Sequence, residues 1–516
     1  MQLLICLSLI LVALPYLMFG SYALSTENAI EYEGPCLWAA SRLAQGLNAY
    51  PGELLQESPY SVIIYPPVYF ILSSLFLHNG LSYLPMRLIS IFSTLVSAVS
   101  YYFFLRFYGL KKSNCLTGTG FLLSFMAIWL WSAKARVDML SIALSCAALC
   151  SYSYALKETR HPYLFLGLSA VLLALAALTK QPAALLAIAM QIGLFFTTFP
   201  TRLNNQDTQK PISAKQKLLI CGAAFGGVFT ITLSACIIAT NHLTKGGFIE
   251  HMHFASHMPF FSKYLFERLS LMMIDLPKVI LAVLAAVLVL WQNFKSKSAP
   301  PHIFTLSTMM LLATIPTTFY TAGTHYSNVN HFLTALLALP ALICLGIDRL
   351  GKGFSYLSAT VLLVSTALLA YLGFSLFGPS ANARQPALAA PIPQAKLGEV
   401  ICPKIDQLKI DQSEVPSILS EDAGIATLMG ATSEPVDITT FIQVLGLDGR
   451  QAQSMLAKIK GKAYRAVVIN HKEFTGERDA PQWSKEIIQA VKDNYNYYGQ
   501  TSGNGEMHDI YLPKSK

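Results

Sequence analysis

Three carboxylates stand close together near the amino terminus, in Glu27-Asn28-Ala29-Ile30-Glu31-Tyr32-Glu33-Gly34. Beside a glycine and at the head of an amphipathic stretch, these carboxylates can supply a general base for an acceptor hydroxyl, a group whose own pKa is too high to ionise unaided. The same acids also suit a solvated helix start, where negative charge complements the helix dipole. On these residues alone both readings stay open. Further along, Arg136 and Asp138 flank Val137 at the head of an apolar run. Arg136 can bind a phosphate with Asp138 orienting it, or the two can form a purely local ion pair. Lys180, in Thr179-Lys180-Gln181-Pro182, reads either as a second phosphate ligand or as an interfacial lysine whose stem lies along apolar surface. A late loop from Thr321 to His331 holds His325, Asn328 and Asn330 between two apolar segments. Its density of donors and aromatics fits a polar ligand better than a plain turn.

His253 and His257 have the i, i+4 spacing that can bring two helical imidazoles onto one metal. No glutamate follows His253, however, and the segment is rich in Phe and Met. Interfacial histidines are the expectation, and no metal residues are assigned.

These residues sit in an apolar chain. Of 516 residues, 53% are hydrophobic and only 13% charged, which excludes an ordinary soluble enzyme and implies a multi-pass membrane protein. With 24 Tyr and 29 Phe the chain is not disordered either. Nine cysteines fall mostly inside apolar runs without a CxxC pair and read as small core residues. A span needs about 20 apolar residues. That ruler marks 1–24, 87–107, 115–132, 138–156, 162–179, 183–199, 217–239, 269–291, 303–320, 331–347 and 354–377, about eleven transmembrane helices. The run from Tyr163 to Phe199 would make one helix of roughly 56 Å, too long for a bilayer, so the chain should turn at Lys180-Gln181-Pro182.

The apolar stretch after Tyr65-Pro66-Pro67, to about Asn79, is short and bounded by breakers. If it lies on the membrane surface, the basic loops holding Arg106, Lys111 and Lys112, Lys157 and Arg160, Arg202 to Lys217, Lys295 and Lys297, and Arg349 and Lys352 share one side, which the positive-inside rule makes cytoplasmic. If it spanned, every later loop would flip. A surface-lying helix is therefore expected, with Glu33, Arg136, Lys180 and the 321–330 loop on the outer face. The composition gives a membrane domain over 1–377 with an outer acidic loop at 25–86, and a Pro/Ala-rich linker at 378–395. An extracytoplasmic α/β domain over 396–516 follows, with strands near Pro416 to Leu419, Arg465 to Asn470 and Met507 to Leu512.

Taken in order, the EYEG loop, the YPP-led surface helix, the RVD at the head of a span, the TKQP turn, the GTHYSNVNH loop and the α/β tail resemble the C superfamily of glycosyltransferases (GT-C). This group includes protein O-mannosyltransferases and lipid A aminoarabinose transferases. The resemblance implies a mainly α polytopic enzyme of the bacterial plasma membrane and cell envelope. Such an enzyme moves a sugar from a polyprenyl-phosphate donor to a hydroxyl on a glycan, lipid or protein acceptor outside, with no nucleic-acid partner. It implies Glu33 as the base with Glu31 second, and Arg136, Asp138, Lys180, Tyr65, His325, Asn328 and Asn330 as substrate-binding residues. Here Tyr32 stands where relatives carry the first acid of an Asp-Glu pair, and His325 where they often carry Lys. No cofactor is required, and a divalent metal is left open. A multi-pass transporter or lipid-glycan flippase is the alternative. It would call for inverted repeats and charges near the bilayer midplane, whereas the charges here cluster at one edge.

Overall fold

The computed structural model describes residues 2–30, 32–78, 80–157, 161–196, 219–299, 301–324, 327–377, 417–429, 431–436, 449–477, 482–503 and 506–515. It is mainly helical, and each of the eleven apolar stretches carries helix. Seven helices among the described residues are long and apolar enough to cross a membrane: Gln2–Ser25, Leu84–Phe107, Asp138–Lys157, Leu219–Leu243, Ser262–Ser296, His302–Ala322 and Lys352–Phe377. An eighth span results if Val329–Leu336 and Leu339–Arg349, bent by 41°, are taken together. Pro162–Ala177 and Gln181–Phe195 are apolar but shorter. They are separated where Lys180 adopts an extended backbone, so the turn expected from the Gln-Pro step is present. After Tyr65-Pro66-Pro67 only Val68–Ser74 is helical, about 10 Å of helix and too short to span.

One stretch departs from a simple span. Between Lys112 and Trp131 the helix breaks at Phe125, whose backbone is extended, leaving Lys112–Ser124 and Met126–Trp131. A broken helix in a membrane exposes backbone groups that lipid cannot hydrogen-bond. A buried ion pair satisfies both ends. Asp275 accepts from the Met126 N–H at 3.2 Å and 3.4 Å, Lys278 Nζ donates to the Ser124 carbonyl at 2.6 Å, and the two charges meet at 2.5 Å. Lys278 also lies over the Phe125 ring, 4.9 Å from its centroid.

The carboxy-terminal unit is a five-stranded sheet in the order β2-β1-β3-β5-β4. Its strands are Ser417–Ser420 (β1), Thr432–Glu434 (β2), Ala466–Asn470 (β3), Tyr495–Gly503 (β4) and Glu506–Pro513 (β5). β1, β2 and β3 run parallel and β5 runs antiparallel to both β3 and β4. Sequence patterning locates β1, β3 and β5 but misses β2 and β4. The stretch assigned as a linker, 378–395, lies outside the described residues.

This unit interlocks with the loop that follows the first helix. Tyr60 of that loop is buried in the sheet's core with Leu419, Met455 and Trp483, while Ala423 and Val436 are buried among the loop's own core residues. Lys458 bridges the seam, donating to Ser58 Oγ at 2.7 Å and to Glu434 at 2.9 Å.

Candidate active site

Asp138 opens the helix Asp138–Lys157 and is buried. Its Oδ1 accepts from Lys180 Nζ at 2.5 Å and from Asn330 Nδ2 at 2.8 Å. Lys180 Nζ donates as well to the Asn330 carbonyl at 3.2 Å. Three motifs far apart in sequence thus converge on one carboxylate. Arg136 joins from the preceding turn, with Nε 3.6 Å from Asp138 Oδ2. Two residues apart, they could not share a face of a regular helix. They meet because the helix begins only at Asp138, after a turn in which the Arg136 N–H bonds the Lys134 carbonyl at 2.7 Å.

The guanidinium is steered from two sides. It donates to Tyr65 Oη at 2.6 Å, lying 5.5 Å from that ring's centroid, and to the Tyr32 carbonyl at 2.9 Å. Tyr32 holds a positive φ of 56°, a conformation that costs a non-glycine residue energy and turns the loop back on itself. Asn328 uses its side chain locally, accepting from the Val329 N–H at 2.7 Å.

Glu33 lies deeper. It is fully buried, and its oxygens accept from Arg87 Nε at 3.1 Å, Arg87 Nη2 at 2.5 Å, the Ala135 N–H at 2.6 Å and the Ile30 N–H at 2.8 Å. Arg87 spends its remaining donors on the carbonyls of Ala23, Thr26 and Asn28. Glu33 is thus engaged on both oxygens and is not among the residues that line the cavity described below. Its contacts hold the 30–34 loop against the turn that carries Arg136.

A cavity of about 950 Å³ opens beside this cluster. Tyr32, Tyr65, Arg136, Lys180, Asn330 and His331 form its polar end, and the rest of its wall is mostly apolar, with Leu233, Ile237, Phe248, Ile249 and Met252. Burial pushes the Lys180 ammonium below its ordinary pKa while Asp138 opposes that shift. Arg136 and Lys180 bring two positive side chains to this cluster. Against the single carboxylate of Asp138, the polar end therefore favours an anion.

The histidines divide by role. His251 is buried, accepting from the Ile63 N–H at 3.0 Å on Nδ1 and facing the Pro51 carbonyl at 3.2 Å with Nε2, so that it clamps the helix Gly247–Ala255 to the first loop. Burial pushes its pKa down to about 4 and keeps it neutral. His253 and His257 stack edge to face at 4.5 Å, as expected of neighbours one turn apart. Among the described residues no group of three or more His, Cys, Asp or Glu side chains could hold a metal ion.

Of the residues singled out by sequence, Tyr65, Arg136, Asp138, Lys180, Asn328 and Asn330 come together around the cavity. Glu31 and His325 lie outside the described residues. Sequence reasoning missed Arg87, Asp275 and Lys278. A charge inside an apolar run is the signal that could have found Arg87, Asp275 and Lys278.

The family model of dolichyl-phosphate-mannose-protein mannosyltransferases matches residues 65–214. No curated protein sequence matches the chain. Among solved structures it resembles ArnT from Cupriavidus metallidurans bound to undecaprenyl phosphate, with a TM-score of 0.57 at 12% identity over 100% of this chain and 98% of that one. The Archaeoglobus fulgidus oligosaccharyltransferase in complex with Zn and sulfate gives a TM-score of 0.57 at 11% identity, over 98% of this chain and 73% of that one. Arabinofuranosyltransferase AftD from Mycobacteria gives 0.52 at 13% identity, over 99% of this chain and 41% of that one. At such identities the likeness speaks for architecture, and in architecture this is a polytopic integral membrane protein with the GT-C glycosyltransferase fold.

Proposed function

We propose that the chain transfers a sugar from a polyprenyl-phosphate-linked donor to an acceptor hydroxyl at the outer face of a bacterial plasma membrane. One observation carries the reading: a cavity with the Arg136–Lys180 cluster on its wall and a mostly apolar lining elsewhere. That is the complement of a molecule with an anionic head and a hydrocarbon tail. The solved relative bound to undecaprenyl phosphate supports it.

In the reaction the acceptor oxygen attacks the anomeric carbon as the bond from that carbon to the phosphate oxygen breaks. The bonding electrons pass to the phosphate, where Arg136 and Lys180 stabilise the charge that develops. Asp138 and Asn330 hold Lys180 in place, and Tyr65 steers Arg136. The acceptor proton goes to a carboxylate. With Glu33 committed to Arg87, that role is assigned to Glu31, which precedes the cavity-lining Tyr32 in the chain.

Purified protein supplied with a panel of polyprenyl-phosphate sugars should release polyprenyl phosphate and glycosylate an acceptor. Movement of intact donor across vesicles without cleavage would favour a flippase. Failure to bind polyprenyl phosphate at all would overturn the reading. Comparing transfer after chelation and after return of divalent ions decides whether a metal takes part. The carboxy-terminal unit is assigned to the outside, and a reporter fused after Leu512 that works only in the cytoplasm would contradict this.

A further inference from the structure

We propose that the carboxy-terminal unit acts as a positioning element for the phosphate-binding arginine, through the turn Asp422-Ala423-Gly424 seated on Gly34. The proposal rests on reading Arg136 as a phosphate ligand.

Gly34 follows Glu33, and a Cβ placed on it would fall 2.4 Å from both Asp422 Oδ1 and the Gly424 nitrogen. From the other side, a Cβ on Gly424 would fall 1.6 Å from Tyr83 Oη. Two backbones therefore approach as only glycine permits, with the tyrosine closing the gap. Tyr83 in turn lies under the Arg87 guanidinium, 4.9 Å from ring centroid to charge. Asp422 caps the helix Ala423–Leu428 by accepting from the Gly424 N–H at 2.8 Å, so the turn has a fixed shape.

From Gly34 a short chain of contacts leads to the site. Glu33 holds the Ala135 N–H at 2.6 Å, one residue before Arg136, and the Tyr32 carbonyl takes the guanidinium itself at 2.9 Å. No described residue of the carboxy-terminal unit lines the cavity. Its influence is exerted through the 30–34 loop, whose saturated carboxylate and positive-φ tyrosine keep one arrangement only while the turn presses on Gly34. The unit is built into the loop rather than hung from it, since Tyr60 and Ala423 are buried in each other's neighbourhoods across the seam.

The test uses full-length protein and two readouts, hydrogen exchange of 134–136 and affinity for polyprenyl phosphate. Gly424→Ala should speed exchange at Ala135, leave the Asp138–Lys157 helix protected, and weaken binding on the order of tenfold, about 1.4 kcal/mol. Adding Tyr83→Phe removes the 1.6 Å overlap with the hydroxyl and leaves the ring carbon Cζ at 2.9 Å, so the double variant should recover a large part of both readouts. A purely structural defect in the sheet would not be rescued from Tyr83. If Gly424→Ala does not fold, Asp422→Ala adds no bulk and should show the same faster exchange. Wild-type exchange and affinity in the folded variants would overturn the proposal. So would an equal effect from Lys458→Ala, which loosens the seam elsewhere. If the wild type itself fails to bind polyprenyl phosphate, the phosphate reading falls while the exchange data still decide the positioning role.

Discussion

Glu33 and Arg87 form a buried two-point ion pair, with oxygen–nitrogen distances of 3.1 Å and 2.5 Å, that ties the first loop to the head of the helix Leu84–Phe107. Both groups are saturated by further hydrogen bonds, so the pair is a joint between elements and not a reservoir of reactivity. Glu33→Gln should accordingly lower thermal stability and donor binding together, because breaking one side of a buried pair costs about 3–5 kcal/mol. A variant that binds donor normally but no longer transfers sugar would return Glu33 to the role of base.

Arg136→Ala should weaken polyprenyl phosphate binding by roughly 10-fold to 100-fold, the value of a charge-assisted hydrogen bond of about 1.5–3 kcal/mol. Arg136→Lys should recover only part, since a point charge cannot reach Tyr65, Tyr32 and a phosphate together. Lys263, exposed and paired with Glu267 at 3.8 Å, is the control, and Lys263→Ala should bind normally. Equal losses at both positions would mean general attraction of anionic lipid to the surface.

The clamp at the broken helix makes a stability prediction. Lys278→Met leaves Asp275 charged, buried and alone, and should cost about 3–5 kcal/mol. Combining it with Asp275→Leu should recover part of that loss, leaving the cost of the uncapped Met126 N–H and Ser124 carbonyl. Melting in detergent measures both. A double variant as unstable as the single would show that the backbone caps, rather than the lone charge, dominate.

Burial pushes the Asp422 carboxyl up to about 6, with Glu33 and Glu421 adding to the rise and His508 opposing it. A carboxyl that binds its proton more tightly when folded stabilises the fold at low pH. That contribution is complete below about 4 and is lost as pH rises through about 6, a difference on the order of 3 kcal/mol. Asp422→Asn keeps the cap on Gly424 and removes the titration. The gap in melting temperature between variant and wild type should therefore widen in the variant's favour from pH 4 to pH 7. A constant gap would show that Asp422 titrates normally.

The sequence alone determined that the chain is a polytopic membrane protein, because apolar runs of span length and a Gln-Pro break are local signals that the bilayer leaves little freedom to override. It also marked Arg136, Asp138, Lys180 and Asn330, since polar groups at the edge of apolar runs are costly unless they have partners. Only the tertiary structure decided who those partners are. Asp138 finds Lys180 and Asn330 through helices brought side by side, and Glu33 finds Arg87, a charge in an apolar helix that calls for a partner without saying which. The break at Phe125 was equally hidden, since the residues that cap it, Asp275 and Lys278, come from elsewhere in the chain. The role of Gly34 was set by a close approach of backbones that no spacing in the sequence encodes.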